Sequence, residues 1–125
     1  MWIYYNTNPM GKQVGDCVIR AITKALNISW VEAYLNVCIQ GLLMGDMPSN
    51  NAVWGAFLQK RGFRKKLFFG NYPDNYSVAD FCQDHPEGVF VVAVHNHVLT
   101  VVDGDYYDSW QSENENPIYF FEREE

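Results

Sequence analysis

Apolar residues recur at helical spacing through the first half of the chain and at strand spacing through the second. The first ten residues carry no sustained period, and with Asn6, Asn8 and Pro9 they read as an extended arm and a turn. Val18, Ile19, Ile22, Ala25 and Leu26 predict a helix from Asp16 to about Asn27. Ser29 and Glu32 have the spacing of a capping box, so a second helix is expected from Trp30 to about Gln40. Its apolar stripe is Val31, Tyr34, Leu35, Cys38 and Ile39, which predicts that this side faces the core. A third helix is expected from Ser49 or Asn51 to Lys60, ended by Gly62.

Beyond Gly62 the period changes. Phe63, Leu67, Phe68 and Phe69 suggest a strand, and Ser77 caps a short helix from Val78 to about Asp84. Val89–Val94 and Val98–Val102 are apolar β-branched runs. Asp103-Gly104 is a hairpin signal, Tyr106–Trp110 is the returning strand, and Pro117–Phe121 is a last strand. Helices followed by strands read as an α+β fold, with N-terminal helices packed against a C-terminal antiparallel β-sheet. No repeat, linker or low-complexity tract divides the chain, so residues 1–125 read as one domain.

Candidate chemistry begins at Gly15-Asp16-Cys17, where a loop becomes a helix. With Asp16 as cap, Cys17 falls in the first turn, where amide N–H groups and the helix dipole favour a thiolate. The amide of Cys17 can also point at a developing oxyanion. His97 heads the strand that precedes Asp103-Gly104. If those two residues are the centre of the turn, Val102 pairs with Asp105, Leu99 faces Asp108 and His97 faces Trp110. Side chains alternate along a strand, so His97, Leu99 and Asp108 share a face, and His97 and Asp108 are diagonal neighbours. A carboxylate there can hold the imidazole's tautomer, completing a nucleophile, base and orienter set. Trp110 is placed to shield the pair from water. His95 lies one diagonal further from Asp108, which makes His97 the base of choice. Cys38 and Cys82 read as core, and His85 as a helix-end residue. Arg20, on an otherwise apolar helix, calls for an acidic partner that the spacing does not identify.

Composition narrows the function classes. With 48% apolar, 16% aromatic and 19% charged residues, the chain is not intrinsically disordered. The net charge of −6 disfavours nucleic acid as a partner. Residues 1–70 carry eight basic and three acidic side chains, and residues 71–125 carry one basic and twelve acidic. The only basic run, Lys60, Arg61, Arg64, Lys65 and Lys66, reads as a solvated helix end and strand edge. No apolar stretch suits a membrane span, and the N-terminus lacks the features of a signal peptide. Three widely spaced cysteines are no disulfide framework, so the reading is a reducing cytoplasm. His95 and His97 have no partner at zinc-site spacing, so a metal site is not expected.

Cys17 at a helix start, His97 heading a strand and Asp108-Ser109-Trp110 together resemble the papain-like cysteine peptidases. Asn8-Pro9, Gly15 through Ile22 and the Tyr106–Trp110 segment look more narrowly like small papain-fold proteins of bacteriophages and Gram-positive bacteria. The resemblance covers nearly the whole chain. It implies a papain-like fold with Cys17 as nucleophile, His97 as base and Asp108 as orienter. The implied reaction is hydrolysis of a peptide or isopeptide bond through a thioester, without a cofactor, in the host cytoplasm for a phage-encoded chain. The pattern departs at Gly11, where the family has its oxyanion glutamine, leaving Gln13 and Asn8 as the candidate amides. It departs again at Val18, where Trp or Gly usually follows the nucleophile. Alternatives from the same triad are acyl transfer, transglutamination and deamidation. A non-catalytic papain-fold binding module, acting as a phage effector or inhibitor, is the alternative from another class. The partner implied is a peptide or protein.

Overall fold

Val89–Val94 (β3) is buried at all six positions, and the other elements arrange themselves around it. The structure is a computed structural model and describes residues 1–68 and 75–124. It is α+β, with four helices and a six-stranded sheet among the described residues. The helices are α1 (Cys17–Leu26), α2 (Trp30–Met44), α3 (Asn51–Lys60) and α4 (Val78–Asp84). The other strands are β1 (Trp2–Tyr4), β2 (Phe63–Leu67), β4 (His97–Val102), β5 (Asp105–Asp108) and β6 (Tyr119–Arg123), and the sheet order is β1-β5-β4-β3-β6-β2.

Side-chain alternation divides β3 between two cores. Val89, Val91 and Ala93 face α1, α2 and α3, together with Ile22, Trp54, Leu58 and Phe121. Phe90, Val92 and Val94 face α4, together with Phe81, Leu99, Tyr106 and Phe120. A strand covered on both faces needs no polar alternation, which is why β3 reads as an unbroken apolar run. Thr100 is the one polar side chain in the middle of β4, and its hydroxyl donates to the carbonyl of Ala21 at 2.7 Å, tying the sheet to α1.

Local signals explain most boundaries. The Ser29 hydroxyl accepts from the Glu32 amide at the start of α2. The Asn50 side chain caps α3, and Ser77 and Asp80 form a reciprocal capping box on α4. Asp103 and Gly104 both have positive φ, as a tight hairpin turn requires, and Val102 pairs with Asp105 as the register argument expects. Asn96 also takes positive φ, in the two-residue turn between β3 and β4. His95 is therefore a turn residue and not the strand residue that alternation with His97 suggested.

Several expectations are corrected. The sheet is mixed rather than antiparallel, because β1 pairs parallel with β5. The last strand starts later than expected and runs past Phe121 to Arg123. The strand expected to include Phe69 ends at Leu67, and Phe69 itself lies outside the described residues, as does Glu125. The basic run occupies the end of α3 and the edge strand β2, where Arg64 pairs with Glu124 and Lys66 with Glu122. Among the described residues no helix is long and apolar enough to cross a membrane.

The largest correction concerns α2. Its inward positions are the small residues Ala33, Val37 and Gly41, while Val31, Tyr34, Leu35 and Ile39 are exposed and Cys38 is half-buried. Small residues permit close approach of the chain. A Cβ on Gly41 would stand 2.7 Å from the backbone oxygen of Asp46. Alanine is the better helix former by about 1 kcal/mol, but this neighbour is backbone and cannot swing aside. Gly41→Ala is expected to destabilise by about 1–3 kcal/mol in urea unfolding. A variant as stable as the parent, or more so, refutes this close-packing argument.

Candidate active site

The Asp16–Cys17 step starts α1, but not in the expected way. Asp16 stands at the N-cap without a side-chain capping bond. Its carboxylate instead accepts from Arg20 Nη1 at 2.9 Å and from the Trp30 indole at 2.9 Å. Arg20 lies four residues on, one turn along the same helix face. The first-turn N–H groups of Cys17, Val18 and Ile19 have no intrahelical acceptor, as at any helix start. Because Asp16 does not cap them, they stay available to another acceptor.

Arg20 reaches the sheet with its other nitrogen. Its Nη2 donates to Asp108 Oδ1 at 3.2 Å. Asp108 is fully buried at the end of β5, and both its oxygens are engaged. Oδ1 also accepts from the Ser109 amide at 2.8 Å. Oδ2 accepts from Ser112 Oγ at 2.6 Å and from His97 Nε2 at 2.6 Å. The backbone carbonyl of Asp108 is held too, by the Trp2 indole and the Tyr5 amide.

With Nε2 donating to Asp108, Nδ1 is the ring nitrogen left for Cys17, whose thiol is in hydrogen-bonding reach of the ring. Burial pushes this thiol up. The hydrogen bond with His97, the backbone amide of Val98 and the charges of His97 and Arg20 outweigh that and leave Cys17 below its ordinary pKa. The Val98 amide is free to do this for a topological reason. Continuing the β4–β5 register would pair Val98 with Ser109, but β5 stops at Asp108. Burial favours neutral His97, yet the hydrogen bonds and charges of Asp108 and Cys17 carry its pKa up to about 9. The two shifts run in opposite directions and favour a thiolate beside an imidazolium.

Cys17, His97 and Asp108 are thus brought together. Asp108 and His97 meet just past Thr100–Tyr107, the last pair between β4 and β5. Leu99, expected on their face, belongs to the core under α4, whereas Cys17 opens a helix on the opposite face. The Trp110 ring lies 5.0 Å from the His97 ring, tilted by 45°.

Gln13 and Asn8 are not brought in. Gln13 is exposed, and the Asn8 side-chain Oδ1 accepts from the amides of Met10 and Lys12 in its own turn. Neither lines the cleft beside Cys17. That cleft, of about 420 Å³, runs past Cys17, Val18 and His97 to Trp54, Tyr119 and the turn residues His95 and Asn96. The amides of the first turn of α1 are the donors nearest in sequence to the sulfur.

Sequence reasoning missed the partners of Arg20 and missed Ser112 altogether. The i,i+4 spacing of Asp16 and Arg20 signals their pair. Ser112 sits in an irregular loop where no period points to it. Cys82 is buried and its thiol is pushed up to about 11, mainly by burial. Among the described residues no group of three His, Cys, Asp or Glu side chains is placed to hold a metal. Comparison with protein-family models, with curated proteins and with solved structures returns no match.

Two outcomes follow from this geometry. Arg20→Met leaves two buried carboxylates without their cation, and a loss of about 3–5 kcal/mol is expected in denaturant unfolding. The exposed Arg64–Glu124 pair, removed in the same way, should cost under about 1 kcal/mol. Similar losses at the two sites would contradict a network centred on Arg20. For His97, an NMR titration should show a midpoint near 9, falling towards about 6.5 in Asp108→Asn. Folded His97 holds its proton more tightly than an unfolded histidine. The stabilisation is therefore complete below about pH 6.5 and is lost as the pH rises through about 9.

Proposed function

We propose that this chain is a papain-like cysteine peptidase that hydrolyses a peptide or isopeptide bond through Cys17, His97 and Asp108. The observation that carries the reading is the placement of Cys17 and His97 in one cleft. A thiol that His97 holds below its ordinary pKa stands beside an imidazole whose far nitrogen is 2.6 Å from a fully buried carboxylate. A merely buried cysteine has its pKa raised, as Cys82 does.

The chemistry follows from the atoms. Cys17 Sγ attacks the scissile carbonyl carbon, and the carbonyl oxygen takes up the charge. The uncapped first-turn amides of α1, including that of Cys17, stabilise this oxyanion. As the tetrahedral species collapses, imidazolium His97 gives its Nδ1 proton to the departing amine, and a thioester remains. His97, now neutral, takes a proton from water, which attacks the thioester. The carboxylate product leaves, and the thiolate–imidazolium pair is restored. Asp108 holds the ring so that Nδ1 faces the sulfur throughout. The reading places the protein in a reducing cytoplasm, where Cys17 stays a free thiol.

Site-resolved alkylation by mass spectrometry is the test of the nucleophile. At pH 6, Cys17 is expected to react about 100-fold faster than a thiol of ordinary pKa, with Cys82 nearly inert. His97→Ala should remove most of that advantage. If Cys17 reacts no faster than an ordinary thiol, the proposed pair is not formed. Cleavage of a peptide library in ¹⁸O-labelled water then tests the reaction. One labelled oxygen in each new carboxylate is expected, with no cleavage by Cys17→Ala. An unlabelled product joined to an added amine would identify an acyltransferase instead.

A further inference from the structure

We propose that the chain forms a symmetric dimer through the outward face of α2, packed antiparallel against α2 of a second copy. This goes beyond the peptidase reading and does not depend on it.

α2 is two-sided. Ala33, Val37 and Gly41 bury its inner side. Its outer side carries Val31, Leu35, Cys38 and Leu42, flanked by Tyr34 and Ile39. Leu42 is 80% exposed and Leu43 71%. Glu32, Asn36 and Gln40 form a polar row beside these residues, so this outer stripe is a second apolar surface, of the kind that a partner covers. Glu32 is the only charged residue of α2, although the chain as a whole has a net charge of −6. Two copies therefore meet on this face without opposing like charges.

The spacing selects the partner. Val31, Leu35, Cys38 and Leu42 are separated by four, three and four residues. That sequence of steps reads the same in both directions. An antiparallel two-fold axis through the middle of the stripe places Val31 against Leu42 of the other copy and Leu35 against its Cys38. An isologous interface requires this reciprocity. Beside the stripe, a hollow of about 430 Å³ between α1 and α2, lined by Val18, Ile19, Trp30, Tyr34, Cys38 and Pro48, offers further apolar surface to the opposing leucines. With Leu43 and with Met47 just beyond the helix, seven exposed apolar side chains lie on or beside this face, set against the roughly 800 Å² that each partner contributes to an interface of standard size.

Sedimentation equilibrium of the full chain tests the proposal. A species of about 29 kDa, twice the 14.5 kDa of one chain, is expected. Leu42→Glu should return it to a monomer with unchanged far-UV circular dichroism, because Leu42 contributes little to the core. Leu35→Glu is the second variant should the first fail to fold. In Cys17→Ala, a short bis-maleimide should join the two copies at Cys38, and Leu42→Glu should abolish that band. Monomers at every soluble concentration overturn the proposal. So does a dimer, or a Cys38 cross-link, that survives both charged substitutions.

Discussion

Arg20 joins the two halves of the candidate site. A guanidinium, with its fixed fork of donors, can bond one carboxylate on its own helix and another on the sheet. It does so here between Asp16 and Asp108. All three groups are withdrawn from water, so each would be costly to bury without the others. Satisfying them sets the distance and rotation of α1 against the end of β5. Cys17 rides on that helix three residues before Arg20, and His97 leans on the same carboxylate. The position of the sulfur relative to the imidazole is thus a by-product of neutralising a buried charge cluster. No unpaired polar side-chain atom is buried among the described residues, which is what such a cluster needs to be stable.

Much of this was legible in the residue pattern, for local reasons. Ser77 before Val78 announces a helix because a side-chain oxygen must satisfy free amides there, whereas the cap of α3 is Asn50 and not the expected Ser49 or Asn51. Asp103-Gly104 sets the β4–β5 register because a two-residue turn needs positive φ. That register made His97 and Asp108 diagonal neighbours, and they do meet, although the face they were expected to share with Leu99 is not where they meet. The failures share another cause: they depend on what lies across the fold. The stripe on α2 satisfies the helical period whether it faces in or out. Only the close approach allowed by Ala33 and Gly41 decides which. The arm at Trp2–Tyr4 becomes a parallel strand because β5 offers an unpaired edge, which no local signal reveals. Asp16 has the composition of a cap, yet Arg20 and Trp30 compete for its oxygens and win.

The uneven charge along the chain has a structural resolution of the same long-range kind. β2 carries Arg64, Lys65 and Lys66, and β6 carries Glu122 and Arg123 with Glu124 just beyond. Pairing β2 with β6 therefore brings the basic segment of the first half onto the acidic end of the second. It also leaves a charged edge to the sheet, which discourages pairing with strands of other molecules.

The order of residues in the chain also has a temporal consequence. Cys17 is made early, while its imidazole and carboxylate follow about 80 and 90 residues later. At about 5–20 residues per second on the ribosome, the thiol spends several seconds as an ordinary cysteine. Only when β4 closes over α1 does it meet His97 and the Val98 amide, which lower its pKa. A partly synthesised chain therefore carries the thiol without the groups that shift it.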